Sequence, residues 1–238
     1  MENYLRVFDT EADYESVKDG LVYPTVSYTV DTDKLWYMVN ASSLYEWVDL
    51  GLPSGLKWSA WNVGATKPEE FGLYFAWGET QGYTGITDEK QFSWADYTLC
   101  DKVPINLLKY NETDGLTTLE AADDAATATD SSCRMPTYNE LDELIENTTS
   151  EWVDDYNGTG VSGRIFTSNV NGNSIFIPAA GNCYNGTVDE VGQYGGLWSS
   201  SLSSENELSA WALYFYSDYE DWDYFNRYAG NPIRPVKE

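Results

Sequence analysis

The stretch LWSSSLSSENELSAWALYFYSDYEDWDYFNRYAGNPIRPV, from Leu197 to Val236, decides how this chain is read. Between Ala210 and Tyr228 an aromatic residue stands at nearly every second position: Trp211, Tyr214, Phe215, Tyr216, Tyr219, Trp222, Tyr224, Phe225 and Tyr228. Asp218, Glu220, Asp221 and Asp223 are interleaved with them, and Arg227 is the counter-charge. Trp211, Leu213 and Phe215 alternate with Ala212, Tyr214 and Tyr216, and a period of two places the first set on one face of a strand. That face is expected to be buried. For the other face two readings stand side by side. It carries a contact surface, where Tyr adds area at low rotamer-entropy cost, or it covers a neighbouring sheet, as strand propensity alone would have it.

Composition narrows the partners. The chain has 238 residues, enough for one large domain with or without an appendage. Its net charge of −26 repels phosphate backbones and anionic lipid, so neither nucleic acid nor a membrane surface is an expected partner. There is no His, which removes the commonest general base near neutral pH and the commonest metal ligand. Cys100, Cys133 and Cys183 are too widely spaced for a metal knuckle and odd in number, so they read as buried thiols with at most one bridge. No metal or other cofactor is expected. The opening MENYLRVFDT has no apolar segment of the signal-peptide kind, and no run reaches membrane-spanning length.

Along the chain, residues 1–43 read as a small α/β unit. It has a strand at Tyr4–Phe8, a helix capped by Thr10 and closed by Gly20, and a hairpin around Asp31-Thr32-Asp33. Such a unit has little core of its own, which suits attachment or self-association. From residue 44 onward the pattern changes to many short aromatic strands with a few helices. Trp47–Trp58 reads as a strand, a Pro/Gly turn and a strand, Trp58–Gly64 continues it, and Phe71–Gly78 reads as a further strand. Residues 79–118 read as a long loop region, and Leu119–Thr129 as a short helix. Thr137 with Glu140 forms a capping-box signature ahead of Leu141, Leu144 and Ile145 at helical spacing. Arg164–Val170 and Ser174–Ile177 flank Asn171-Gly172-Asn173 as a hairpin. The expected class for 44–238 is therefore α+β.

Six ordered motifs carry a resemblance. They are Asp49-Leu50-Gly51-Leu52-Pro53-Ser54-Gly55-Leu56-Lys57-Trp58, Phe75-Ala76-Trp77-Gly78-Glu79, Arg134-Met135-Pro136-Thr137, Pro178-Ala179-Ala180-Gly181, Trp198-Ser199-Ser200-Ser201 and Ile233-Arg234-Pro235-Val236. Together they resemble a bacterial C-type lectin-like domain of the formylglycine-generating-enzyme type, the branch common in gut Bacteroidales and their phages. The closing segment, about 197–236, resembles the variable region of diversity-generating retroelement proteins, in which adenines of a template are rewritten. The resemblance implies that rewriting an Asn codon reaches Ala, Asp, Tyr, Phe, Ser or Leu, never Trp or Glu. It thus marks Ala212, Tyr214, Tyr216, Asp218, Tyr219, Asp221, Asp223, Tyr224, Phe225, Asn226 and Ala229 as variable, ligand-binding positions. Trp198, Trp211, Leu213, Phe215, Trp222, Arg227 and Tyr228 are implied to be their scaffold.

The function so implied is non-enzymatic recognition of a protein or glycan on a cell surface, displayed on a virion or outside a cell. Without a signal peptide, a cytoplasmic location stays open. Three rivals remain. A glycosidase would need a spaced pair of carboxylates among Asp218, Glu220, Asp221 and Asp223, whereas the catalytic Cys pair of formylglycine-generating oxidases finds no counterpart here. A calcium lectin would need the Glu-Pro-Asn or Gln-Pro-Asp tripeptide, and Asn231-Pro232 does not supply it. A fibre or pilus-tip subunit would use the aromatic patch for assembly.

Overall fold

The computed structural model describes residues 44–101 and 105–238 in full, with the backbone alone at Lys102 and in three strands near the start. The chain divides into two compact units, Met1–Leu44 and Tyr45–Glu238. In the first, β1 (Tyr4–Phe8), β2 (Tyr28–Asp31) and β3 (Lys34–Val39) form an antiparallel sheet in the order β1-β3-β2, with Asp31 opposite Lys34. The helix expected after Thr10 lies outside the described residues.

The second unit is mostly β. β4 (Trp47–Asp49) and β5 (Lys57–Ser59) pair with the C-terminal β16 (Val236–Lys237) in the order β16-β5-β4, and β6 (Cys100–Lys102) pairs with β7 (Ile105–Leu107). β8 (Thr148–Val153), β9 (Gly163–Ser168) and β10 (Ser174–Pro178) run in the order β10-β9-β8, and β11 (Asn182–Tyr184) pairs with β12 (Thr187–Asp189). β13 (Gly195–Leu202), β14 (Ser209–Phe215) and β15 (Glu220–Asn226) form the last sheet, with β14 central. Every pairing is antiparallel.

The expected α+β class is overturned: 34% of the chain is strand, and the described helices are α1 (Ala125–Thr129) and α2 (Tyr138–Asn147), of five and ten residues. The Ala-rich run that promised a helix from Leu119 starts one only at Ala125. Leu119 instead donates its N–H to the Ser200 carbonyl of β13 (2.9 Å), and Asp124 caps the shortened helix by accepting from Thr127 N (2.9 Å). Phe71–Gly78 forms no sheet strand either, only isolated bridges from Tyr74 to Tyr83 and from Phe75 to Asn231.

Other local signals read true. At α2, Thr137 Oγ1 accepts from Glu140 N (3.3 Å) while the Glu140 carboxylate accepts from Thr137 N (2.7 Å), the reciprocal bonds of a capping box. Arg134 adds a two-pronged pair to the same carboxylate at 2.7 and 2.6 Å. Leu141 and Leu144 are buried, as their spacing requires. β9 and β10 form the hairpin around residues 169–173, with Ser174 opposite Thr167.

The β13–β14 pair is covered on both faces. Leu197, Leu213 and Phe215 point into a core with Trp58, Leu141, Leu144 and Phe166. Trp198, Ala210 and Ala212 point the other way, into a core with Phe75, Trp77 and Ile233. Two tryptophans tie that second core together: Trp198 Nε1 donates to the Phe75 carbonyl (2.8 Å) and Trp77 Nε1 to the Ser199 carbonyl (2.9 Å). Arg227 and Arg234, both fully buried, meet carbonyls rather than carboxylates. Arg234 donates to Asn62 Oδ1 (2.9 Å), Ser59 O (3.0 Å) and Phe176 O (2.9 Å).

Cys100, Cys133 and Cys183 are all buried, and no disulfide joins them. Burial pushes the Cys133 and Cys183 thiols up to about 12. We therefore expect no reaction with a thiol reagent at mildly alkaline pH until denaturant is added. A thiol that holds its proton longer in the fold contributes stability that is whole below the unfolded value of 9.0 and is lost as pH climbs towards 12. A denaturation midpoint that stays flat across that range would contradict this.

Candidate ligand-binding ribbon

β15 is the outer strand of its sheet, pairing with β14 from Ser209↔Asn226 to Phe215↔Glu220. Such an edge offers backbone groups to any passing strand. Here the Trp222 N–H donates to Asp221 Oδ1 (2.8 Å) and the Tyr224 N–H to Asp223 Oδ1 (2.7 Å), so two edge donors are already engaged by their neighbours' carboxylates.

Register sorts the ribbon's rings into two groups on opposite faces. Tyr214 lies opposite Asp221, and Ala210 opposite Phe225, on one face. There the Tyr214 ring stands 6.0 Å from Phe225 and 5.8 Å from Tyr219, while Tyr216 stands 5.5 Å from Tyr219. Tyr194, from the loop before β13, underlies the group, 5.4 Å from Tyr216 and 6.4 Å from Tyr214. The Tyr216 hydroxyl donates to Glu190 Oε2 (3.0 Å), and burial together with that carboxylate pushes it up to about 12. Burial, with Tyr219 and the charges of Asp221 and Asp223, also raises Tyr214.

On the other face Trp211 lies opposite Tyr224, and Leu213 opposite Trp222. Trp211 packs edge-on against Trp222 (5.3 Å) and Tyr224 (5.4 Å), and Tyr138 of α2 lies 5.0 Å from Trp211 and 4.9 Å from Trp222. Trp222 Nε1 donates to Asp142 Oδ1 (3.1 Å), anchoring the group to α2. Burial raises the Tyr138 hydroxyl, and the charges of Asp142, Asp221 and Glu146 raise it further.

Asp218, Tyr219, Asp221, Asp223 and Tyr224 are exposed, while Tyr214, Tyr216, Phe225 and Asn226 are half-buried. Two of the eleven expected surface positions are corrected: Ala212 is 0% and Ala229 2% exposed, so neither can touch a ligand. Ala212 lies on the covered second face of β14, and Ala229, past the end of β15, packs into the same core. Alternation holds, but the face opposite Leu213 and Phe215 meets another core before it meets solvent near Tyr214. Of the expected scaffold, Trp198, Leu213, Phe215, Arg227 and Tyr228 are buried, whereas Trp211 is half-buried and Trp222 is 37% exposed. Trp222 is part of the surface it was expected to support. Tyr138, Asp142, Glu190 and Tyr194 join the site without having been singled out in the sequence. Only Tyr138 and Asp142 left a trace, one helical turn apart on α2.

Glu220 is held by Arg164 and by Ser150 Oγ (2.5 Å), and Asp221 and Asp223 face the edge N–H groups. Among the described residues no group of three His, Cys, Asp or Glu is placed to hold a metal ion, and no helix is long and apolar enough to cross a membrane. A separate cavity of about 340 Å³ is lined by Glu79, Lys90, Asp96 and Thr98, among others. Its polar groups serve one another: Lys90 Nζ lies 2.5 Å from Glu79 Oε2 and 3.0 Å from Asp96 O, while Glu79 Oε1 accepts from Thr98 N (2.7 Å).

No protein-family profile matches the chain, and neither a curated protein nor a solved structure gives a significant match.

Proposed function

We propose that this protein is a non-enzymatic recognition protein that displays the β14–β15 ribbon and the turn between its strands to a protein or glycan ligand on a cell surface. The observation that carries the reading is the exposure of Tyr219 (44%), Trp222 (37%) and Tyr224 (41%) on one short ribbon whose inner strand is anchored by Ala212, Leu213 and Phe215, each 0% exposed. Large rings left in solvent on a rigid support are what interface anchors require. The resemblance of residues 197–236 to retroelement-diversified variable regions supports the same reading, because most of the positions it marks as rewritable are those with solvent-facing side chains. On that resemblance the carrier is a virion or an outer surface, with residues 1–43 as the attachment unit.

The test compares the intact chain with a variant carrying alanine at Tyr214, Tyr216, Tyr219, Tyr224 and Phe225, on whole bacterial cells and on arrayed glycans. Binding is expected to disappear in the variant, each ring accounting for about 1–3 kcal/mol, while the folded baseline survives. Equal binding by both proteins would overturn the reading. A fibre-subunit reading differs in one readout: light scattering of the intact chain would then rise with concentration. Genomic sequence offers a second check. A near-copy of the segment encoding 197–236, differing at adenines and lying beside a reverse transcriptase, is the expected neighbour.

A further inference from the structure

We infer that the ligand of this ribbon is a protein segment rich in Lys and Arg, gripped over the edge of β15 by rings and carboxylates; this rests on the recognition reading above and adds the ligand's chemistry.

Charge comes first. Asp218, Asp221 and Asp223 are exposed on the ribbon, with Glu190 beside one ring group and Asp142 and Glu146 beside the other. The two arginines nearby do not balance them at the surface. Arg227 is 0% exposed, its guanidinium facing the rings of Trp77, Tyr97 and Tyr110, and Arg164 is buried and paired with Glu220. A neutral ligand would gain only hydrogen bonds from these carboxylates and an anionic one would be repelled, whereas a cationic one gains hydrogen bonds and charge attraction together. The chain as a whole, at −26, adds to the same field.

The rings point the same way. The exposed rings of Tyr219, Trp222 and Tyr224 provide π faces, on which guanidinium and ammonium groups sit favourably. Beneath the Tyr214 group lies a polar floor. Tyr194 is 3% exposed and its hydroxyl has no hydrogen-bond partner. That oxygen lies 2.9 Å from where a Cβ on Gly196 would stand, and Asn231 Oδ1, also unpartnered, lies 2.8 Å from the same point. Gly196 is the register partner of Tyr214, so an unpartnered hydroxyl and an unpartnered amide, whose Nδ2 also lacks a partner, pack against the Gly196 backbone beneath the patch.

Strand addition is disfavoured as the mode of contact, because the Trp222 and Tyr224 N–H groups are engaged by Asp221 and Asp223. Recognition through side chains remains.

The probe is a fluorescein-labelled oligo-arginine peptide followed by anisotropy at physiological ionic strength, with a neutral Gly/Ser peptide of equal length beside it. Asp221→Asn with Asp223→Asn keeps an acceptor for each edge N–H while removing two charges, and is expected to weaken oligo-arginine binding by roughly tenfold or more. Glu46→Gln with Asp88→Asn removes the same charge from exposed positions elsewhere, and is expected to change it less than about twofold. Equal losses from the ribbon and remote pairs, or no binding of oligo-arginine at all, would overturn the inference. If oligo-arginine fails while the five-ring variant still loses its cells or glycans, the recognition surface stands and its cationic ligand does not.

Discussion

Replacing Arg227 with alanine is expected to cost about 3–5 kcal/mol, a large share of a marginal domain's stability. Nε donates to the Tyr97 hydroxyl (2.9 Å), Nη1 to the carbonyls of Tyr110 (3.1 Å) and Glu207 (3.3 Å), and Nη2 to that of Lys109 (3.0 Å). The guanidinium also lies 4.9 Å from the Trp77 ring and 5.4 Å from that of Tyr97. Among the described residues no carboxylate hydrogen-bonds the guanidinium, though its charge helps to lower Asp114, so it is held mainly by carbonyl dipoles and π faces. One side chain thereby joins the end of β15 to the segments around 97, 109–110 and 207. Alanine would leave three carbonyls without this donor and open a cavity. Lysine keeps the charge but cannot spread donors over that fork, so it should recover less than half of the loss. Urea unfolding with near-UV circular dichroism reads both variants, and an Arg227→Ala midpoint within about 1 kcal/mol of the parent would contradict the account.

Trp198→Ala should destabilise by a similar ~3–5 kcal/mol, for a different reason. The indole is 0% exposed, lies opposite Ala212 in register and stands 6.5 Å from the Phe225 ring, so it fills the space under one face of the ribbon. Its hydrogen bond to the Phe75 carbonyl is the smaller part, because that carbonyl also accepts from Asn231 N (3.1 Å). Trp198→Phe separates the two effects. It keeps most of the volume and drops the N–H, and should cost only about 1–2 kcal/mol. If phenylalanine proved as damaging as alanine, the hydrogen bond would outweigh the packing and this explanation of Trp198 would fail.

Local signals were legible wherever neighbours in sequence settle them. The capping box at Thr137 and Glu140, the turn between β4 and β5, and the β9–β10 hairpin all depend on contacts within a few residues, and all stand where the pattern put them. The α+β class failed because pattern does not reveal tertiary competition: Leu119 gives its N–H to β13 rather than to a helix, and Phe71–Gly78 bonds to loops. The ribbon was half legible. Period two separated Leu213 and Phe215 from Tyr214 and Tyr216 correctly, but it carries no information on what lies against each face. That is how Ala212 was set on the contact face, while Trp222 was placed in the scaffold by the family resemblance alone. Tyr138, Asp142, Glu190 and Tyr194 reach the ribbon across intervals that no periodicity spans.

The central claim is that the ribbon's outward side chains are carried by a framework that does not depend on them. Denaturant unfolding of variants with serine at Tyr214, Tyr216, Asp218, Tyr219, Asp221, Asp223 and Tyr224, singly and together, tests it directly. The account predicts that each exposed position shifts stability by no more than about 0.5 kcal/mol, that half-buried Tyr214 and Tyr216 shift it by about 1 kcal/mol, and that the combined variant still unfolds in one cooperative step. A combined variant that is unfolded in buffer, or single exposed positions as damaging as Arg227→Ala, would contradict it.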